Sequence, residues 1–319
     1  MTVPGDRKRA GRWSGRRGRG EQAMVPRAEF RTYYDRPVLK VPVWKHWIPA
    51  YFFAGGLAAG SSLLAEVLAW SGDARAARRA RASALAAIGA STVFLVADLG
   101  RQERFHHMLR VFRPSSPMNV GSWLLAAYGP AVGVAALGEE VGLPGPARAA
   151  GVVAAGLAPA VATYTGVLVA DTAVPVWHDA HRELPFLFGA GAVASSGALG
   201  VLLAPRGRVP AAAARFAVLG AVAEVLAARR MRESLGDLVG EVYHVGRAGQ
   251  VEAAARATTN AGAVLLVPRA TRRAGAALVL AGAALQRFAV AEAGKQSAAD
   301  PKYVVVPQRE RAADRLNTT

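Results

Sequence analysis

The 319-residue sequence contains no cysteine, and its acidic residues are few. Without thiols the chain cannot form disulfide bonds, ligate an iron–sulfur cluster or use a thiolate nucleophile. The 22 Asp and Glu are outnumbered by 39 Lys and Arg, so the formal net charge is +17. A soluble protein of this charge would suggest nucleic-acid binding. Most of these basic residues flank apolar segments, however, so we expect membrane lipid and not nucleic acid as a partner.

Polar stripes are also missing from the long apolar segments. Hydrophobic residues make up 52% of the chain, and they occur in blocks of about 18–23 residues, the length that a helix needs to cross a bilayer. A soluble amphipathic helix carries a polar residue at each turn, and "AAGVVAAGLAPAVATYTGVLVA" carries none. We therefore predict an all-α integral membrane protein with about eight transmembrane helices in a bundle. The predicted spans are 47–70, 82–100, 121–138, 149–170, 185–204, 210–228, a weaker 253–267, and 274–293.

The polar segments define the layout around these spans. Residues 1–46 form a basic, low-complexity arm that we expect to be disordered, residues 47–293 form the transmembrane domain, and residues 294–319 form a polar tail. With eight spans, both termini lie on one side of the cell (plasma) membrane. The turns on the opposite side are short and rich in arginine, as in "SGDARAARRAR". The positive-inside rule therefore favours these turns inside the cell and the termini outside.

Two pairs of glycines have the GxxxG spacing that lets helices approach closely in lipid. They are Gly56/Gly60 in the first span and Gly129/Gly133 in the third. A codon bias toward alanine and glycine would produce the same pairs without a packing role, so both interpretations remain open at this point.

The positions of the six histidines argue against a haem inside the membrane. They are His46, His106, His107, His178, His181 and His244. None lies within an apolar span, whereas a transmembrane haem is held between histidines that face each other in the bilayer. A metal site is not expected either, because no four convergent ligands are visible.

The connector between the second and third spans is rich in polar and aromatic residues: "DLGRQERFHHMLRVFRPSSPMNVGSW". Its apolar side chains recur with helical spacing at Phe105, Met108, Leu109 and Phe112, and its polar side chains Glu103, His107 and Arg110 point the other way. This pattern predicts a short amphipathic helix at the membrane surface. It fits either a lipid-headgroup anchor or a docking surface for a partner protein, in which Arg104, His107, Arg110 and, from a later connector, His178 would take part.

Several polar residues lie where predicted spans meet the side of the termini. His46 and Tyr51 are at the start of the first span, Asp98 is near the end of the second, and Tyr164 and Asp171 are near the end of the fourth. Tyr164 and Asp171 are seven residues apart and can share one helix face. Such groups can donate hydrogen bonds to quinone carbonyls and move protons as electrons arrive. We predict a quinone site there, because an aromatic belt alone does not explain Asp98 and Asp171.

Four further charged residues, Glu66, Arg215, Glu224 and Arg287, fall deep in predicted spans. Arg215 and Glu224 are nine residues apart, which does not place them together on one helix. These residues form buried ion pairs between helices or belong to a proton path, and the ion-pair interpretation is favoured.

Four stretches together resemble the NrfD/PsrC family, the membrane subunits of polysulfide-reductase-like oxidoreductases. They are "YFFAGGLAAGSSLLA", the connector quoted above, "YTGVLVADTAVPVWHDAHRELPF" and "RFAVAEAGKQSAADPKYVVVPQRER". The second and third are the more specific. The long arginine-rich arm has no counterpart expected from the family.

The resemblance implies a subunit that exchanges electrons between a lipid quinone (menaquinone or ubiquinone) and a docked ferredoxin-like Fe–S subunit, which usually serves a molybdopterin oxidoreductase subunit. Tyr164 looks like the family's quinone-contacting tyrosine, and Tyr51 stands where relatives can have a histidine. Such a subunit has no substrate chemistry of its own and needs no haem or Fe–S cluster in this chain. The alternative is a secondary transporter or ion-translocating subunit without a redox role.

Overall fold

The computed structural model describes residues 37–205 and 208–317. Most of the predicted disordered arm, residues 1–36, lies outside the described residues. The helices are α1 (Trp47–Trp70), α2 (Ala74–Asp98), the 3₁₀ helix η1 (Gln102–Leu109), α3 (Pro117–Leu137), α4 (Pro144–Ala170), α5 (Pro175–Asp179), α6 (Leu184–Leu203), α7 (Ala211–Ser234), α8 (Gly236–Gly240), the 3₁₀ helix η2 (Glu241–Tyr243), α9 (Gly246–Leu266), α10 (Arg272–Ala299) and α11 (Lys302–Asn317).

Seven of the described helices, α1, α2, α3, α4, α6, α7 and α10, are long and apolar enough to cross a membrane. The chain is therefore an all-α, multi-pass membrane protein, as predicted. The eighth long helix, α9, is more polar and corresponds to the span that was weakest in the sequence. It has 21 residues and packs along α10 more extensively than any other pair of helices in the described chain. The final long helix continues past residue 293 to Ala299, and part of the predicted polar tail forms α11.

The long helices form two groups of four that share a central seam. Helices α1 to α4 pack together, and so do α6, α7, α9 and α10. Helix α6 contacts both α1 and α4, and α1 also contacts α10, so the seam is built from these four helices. Within each group, consecutive long helices run as antiparallel hairpins, because the turns between α1 and α2, α3 and α4, and α6 and α7 are short.

Small residues allow the helices to pack closely at the seam, but only one of the two GxxxG pairs contributes to this packing. A Cβ added to Gly56 would lie 3.5 Å from Cβ of Ala192 in α6, and one added to Gly60 would lie 2.6 Å from Oγ of Ser196. This pair is a packing motif in the sense expected for lipid. Nothing lies within 4 Å of a Cβ placed at Gly129 or Gly133, so this second GxxxG pair does not mediate helix packing among the described residues.

The alternation of helices gives the bundle two different ends. The connector end carries η1, α5, α8, η2 and α11, and the short-turn end carries the tight connections between hairpin partners. The turns after α1 and α3 contain Gly72 and Gly142 with φ of +82° and +79°, values that favour glycine. The short turns carry exposed arginines close to the helix ends, namely Arg75, Arg78, Arg79, Arg148, Arg208, Arg269 and Arg273, and the longer connectors of the other end carry exposed arginines as well.

This distribution leads to a topology prediction that the absence of native cysteine makes simple to test. We expect the short-turn end to be cytoplasmic, since arginines in short loops are retained there. A single cysteine at exposed Ser115 should react with a membrane-impermeant maleimide in intact cells, and one at exposed Glu140 should react only after permeabilisation. The reverse labelling pattern would place the connector end in the cytoplasm.

Candidate functional site

Two tyrosines from different helices meet near the connector end. The hydroxyls of Tyr51 in α1 and Tyr164 in α4 are hydrogen-bonded to each other. Tyr51 is buried and Tyr164 is half-buried, and the backbone carbonyl of Tyr51 accepts a hydrogen bond of 3.2 Å from the Ser91 hydroxyl in α2. The two hydroxyls therefore form one polar group that is able both to donate and to accept a hydrogen bond.

A glycine in α3 provides the space for this pair. A Cβ on Gly121 would lie 2.7 Å from Cδ2 of Tyr164 and 3.4 Å from its Cζ, so the tyrosine ring rests directly on the α3 backbone. Any side chain at position 121 would push the ring away. The sequence places this glycine one turn after the start of α3, where it was not recognised as part of the site.

Beside the tyrosines, an apolar cleft of about 170 Å³ opens between α2, η1 and α3. Its lining residues are Thr92, Leu95, Val96 and Leu99 from α2 and its C-terminal end, Phe105, Met108 and Leu109 from η1, and Ser122, Leu125 and Ala126 from α3. The tyrosines do not line the cleft themselves, but their contacts lie one helical turn from it. Ser91, which contacts Tyr51, shares a face of α2 with the lining residue Leu95, and Gly121, which contacts Tyr164, shares a face of α3 with the lining residue Leu125. An apolar cleft with a few polar groups at one edge is the usual form of a small-molecule site.

The cleft explains the amphipathic pattern of the connector. As predicted, a short helix forms there, η1, and it buries none of its residues completely. Phe105, Met108 and Leu109 turn toward the cleft. Phe112 lies beyond the end of η1 and instead meets the edge of the Trp123 ring, with centroids 6.2 Å apart.

Of the five residues predicted at the quinone site, only Tyr51 and Tyr164 contact each other directly; no hydrogen bond in the described part of the chain joins His46, Asp98 or Asp171 to them. His46 is exposed, with its ring 4.3 Å from that of Trp47. Asp98 accepts a hydrogen bond from the backbone N–H of Lys45 at 3.3 Å. Asp171 is exposed. Asp171 is kept away from the tyrosine pair by its position along the helix axis. It shares a helix face with Tyr164, but the seven residues between them correspond to about 10 Å in an α-helix.

Asp171 belongs to a different feature, an open groove of about 520 Å³ between the α4–α5 region and α11. His178 and Asp179 line one side of this groove, and Tyr303 and Arg311 line the other. His178, which was predicted to take part in docking, therefore lies at the connector end but in the α5 wall of this groove.

The remaining predicted docking residues lie on η1 or directly after it. Arg104 and Arg110 are exposed, and His107 is half-buried. Desolvation and the nearby positive charges of Arg110 and His106 lower the pKa of His107 from its usual value. This shift favours the neutral imidazole, and the exposed arginines supply the permanent positive charge of this surface.

The deep charged residues form buried ion pairs between helices. Arg81 of α2 bridges Glu66 of α1 and Glu139 after α3, with both N–O distances 2.9 Å. Arg287 of α10 pairs with Glu224 of α7 at 3.3 Å. The favoured interpretation is thus correct for Glu66 and Glu224, and the proton-path interpretation stays a prediction.

Arg215, in contrast, is exposed on the outer face of α7, so the expectation of a buried pair is wrong for this residue. It lies in the second turn of α7, close to the short-turn end, where a long cationic side chain can reach the headgroup region.

Sequence reasoning missed three residues: Asn119 and Gly121 at the site, and Arg81 among the deep ion pairs. Arg81 falls in "ARAARRARA", which resembles a basic turn, yet α2 begins at Ala74 and carries this arginine into the bundle. Asn119 holds η1 against α3 through hydrogen bonds to Met108, Val111 and Arg113. Ser116 followed by proline does mark a helix start, and Ser116 caps α3, but this signal does not indicate that the Asn119 side chain turns back to bond the chain 6–11 residues before it.

Comparison with known proteins places this architecture in a family. No curated protein matches the chain. The family description "Polysulphide reductase, NrfD" matches residues 37–216, which is more than half of the chain and covers α1 to α6, the tyrosine pair, the cleft and η1. The chain therefore belongs to the NrfD family of polysulphide reductase membrane subunits.

Proposed function

We propose that this chain is the quinone-reactive membrane subunit of a plasma-membrane oxidoreductase complex. It exchanges electrons between menaquinone or ubiquinone and a docked ferredoxin-like Fe–S subunit, which in turn serves a molybdopterin oxidoreductase subunit. In this proposal the chain binds and orients the quinone and presents a docking surface, and the metal centres belong to its partners.

One observation carries the proposal: α2 and α3, which contact a hydrogen-bonded tyrosine pair through Ser91 and Gly121, line an apolar cleft one helical turn further along. Quinones have a planar apolar ring with carbonyl oxygens, so they fit a cleft that is apolar along its walls and offers a hydroxyl donor at one edge. The cleft is bounded by helices that also span the membrane, and quinones are dissolved in the lipid around those helices.

The chemistry assigns different tasks to the two tyrosines. Oxidation of a quinol releases two electrons and two protons, and reduction of a quinone takes up the same. Tyr164, the more accessible of the two, donates its hydroxyl hydrogen to a quinone carbonyl oxygen or accepts one from a quinol hydroxyl. Tyr51, which is buried, holds Tyr164 in position through the hydroxyl contact. The electrons must leave the chain, because it contains no cysteine for a cluster.

The position of η1 supports a short route to the partner. One side of this helix lines the cleft, and its other side carries exposed arginines. A protein docked on the arginines would be separated from the cleft by the thickness of a single helix, about 10 Å.

The proposal is tested by removing the hydroxyl of Tyr164. In the complex purified from its native membranes, Tyr164→Phe should lower kcat/KM for a quinol analogue by roughly tenfold or more, since one hydrogen bond to the reacting group is lost. Iron and molybdenum contents should remain those of the wild type. Tyr51→Phe should have a smaller effect of the same direction.

A matched control is Tyr128→Phe. Tyr128 is a buried tyrosine of α3 whose hydroxyl bonds Ser62 at 2.7 Å, and its loss removes the same atom from the same bundle away from the cleft. Activity of this variant should stay near that of the wild type. Equal activity in all three variants, or an intact wild-type complex without metals or quinol oxidation, would favour the ion-translocating alternative.

A further inference from the structure

We infer that η1 is a movable wall of the cleft, that Asn119 holds it closed, and that cleft occupancy and the docking surface are coupled through it. This inference rests on the proposed function, since it concerns the same cleft and the same surface. It adds a positioning residue, Asn119, and a regulation that neither the tyrosine pair nor the arginines imply.

The side chain of Asn119 makes three hydrogen bonds to the segment that ends η1. Its amide nitrogen donates to the backbone carbonyls of Met108 and Val111, both at 2.9 Å. Its amide oxygen accepts from the backbone N–H of Arg113 at 2.6 Å. Both amide hydrogens and the oxygen are therefore used, and all three partners lie in one short stretch of chain.

Two neighbouring residues of α3 add weaker contacts to the same stretch. Trp123 donates its indole N–H to the carbonyl of Val111 at 3.2 Å, and the Ser122 hydroxyl lies 3.5 Å from the sulfur of Met108. Asn119 is thus the centre of the contacts that join the end of η1 to α3.

Burial contributes little to holding η1 in place. None of its eight residues is buried, and Phe105, its largest apolar side chain, is 49% exposed. A segment with few buried apolar contacts opens at low free-energy cost. The hydrogen bonds of Asn119 therefore decide how often this wall is closed.

Coupling follows because one rigid segment serves two surfaces. Phe105, Met108 and Leu109 line the cleft, while Arg104 and Arg110 belong to the docking surface. A ligand that contacts the apolar side chains lining the cleft favours the closed position of η1, and this closed position fixes the two arginines of the docking surface. By thermodynamic linkage, a protein bound to the arginines must then change the affinity of the cleft by the same factor.

The first test uses the full chain in detergent and needs no partner. The probe is 2-heptyl-4-hydroxyquinoline N-oxide, an aromatic quinone-site ligand whose binding is followed by fluorescence. Trypsin cleaves after exposed Arg101, Arg104 and Arg110, and cleavage after Arg78 in the same sample serves as the internal reference. Saturating probe should slow cleavage in η1 by about tenfold and leave cleavage after Arg78 unchanged, the size expected for a typical coupling.

The second test replaces Asn119 by aspartate, which removes both donors and places a carboxylate opposite two carbonyl oxygens. Position 119 lies in the first turn of α3, where an acidic side chain is favourable for the helix itself. Asn119→Asp should speed tryptic cleavage in η1 and raise the Kd of the probe, each by about tenfold. Gln102→Glu is the matched control, since it makes the same amide-to-acid change on the exposed start of η1. Because a carboxylate directly after Arg101 slows trypsin at that bond, the comparison uses cleavage after Arg104 and Arg110, and the control should alter neither this cleavage nor the Kd.

The outcomes separate this inference from the proposed function. Probe binding to the wild type without slower cleavage in η1, together with wild-type affinity in Asn119→Asp, overturns the coupling and leaves the quinone site standing. Absence of any probe binding to the folded wild-type chain overturns the proposed function and the coupling with it. Slower cleavage in the wild type and weaker binding in Asn119→Asp, but not in Gln102→Glu, supports the coupling.

Discussion

Replacing Arg287 by leucine should destabilise the protein by about 3–5 kcal/mol, because it leaves the carboxylate of Glu224 buried without its partner. Both side chains are almost inaccessible, 2% and 3% exposed. The guanidinium also donates to the carbonyl of Phe188 at 2.8 Å and lies 4.3 Å from the centre of the Phe188 ring. This one residue therefore joins α10 to α6 and α7. The measurement is the midpoint of thermal unfolding in detergent, together with the yield of folded protein.

Two further variants isolate the cause. The double variant Arg287→Leu/Glu224→Leu removes both charges and should recover most of the lost stability, since a buried pair replaced by apolar residues is often neutral. Arg215→Leu removes an arginine that is exposed on α7 and should change stability by no more than about 0.5 kcal/mol. A double variant as unstable as Arg287→Leu would show that packing, and not the unpaired carboxylate, controls the effect.

The fold could be predicted from the sequence largely because lipid imposes a simple rule. A helix that crosses the bilayer needs about 20 apolar residues, so α1, α6 and α10 are visible as long apolar blocks in spite of isolated charges such as Glu66 in α1 and Arg287 in α10. Boundaries were less accurate where charged residues enter the helix. Helix α2 begins at Ala74 and not at residue 82, because its first turns, which carry Arg75, Arg78 and Arg79, extend toward water at the short-turn end. The sequence pattern alone could not distinguish this extension from a loop.

The candidate site was predicted only in part. The spacing of residues in the sequence indicates which face of a helix they share, but not how deep in the bundle each one lies. Tyr51 and Tyr164 were both selected, and they do meet. Asp171 shares a helix face with Tyr164 but lies two turns further along the helix. The prediction of the shared face was therefore correct, and the residue nevertheless lies in the groove and not beside the tyrosine pair. The ion-pair partners Arg81 and Arg287 come from other helices. Their pairing depends on which helices are neighbours, which no local pattern encodes.

The docking surface leads to the second large effect that we expect. The variant Arg104→Ala/His107→Ala/Arg110→Ala should lose its Fe–S partner while the subunit stays in the membrane. The two exposed arginines supply the positive charge, and half-buried His107 adds to the shape of the surface between them. Removing charges at the rim of an interface mainly slows association and weakens its dependence on salt. The co-purified iron should fall to less than about a tenth of the wild-type value, since two such charges contribute roughly 1 kcal/mol each.

The control is Arg78→Ala/Arg79→Ala, which removes two exposed arginines from the opposite end of α2. This variant removes two arginines, as the η1 variant does. A loss of partner caused by lower net charge or by weaker lipid contact would therefore appear in both variants. Loss in the η1 variant alone places the partner at the connector end, on the side where the tyrosine pair and the cleft lie. Undiminished iron in the η1 variant would remove η1 from the interface and leave the α5–α11 groove, with His178 on one wall and Arg311 on the other, as the surface to test next.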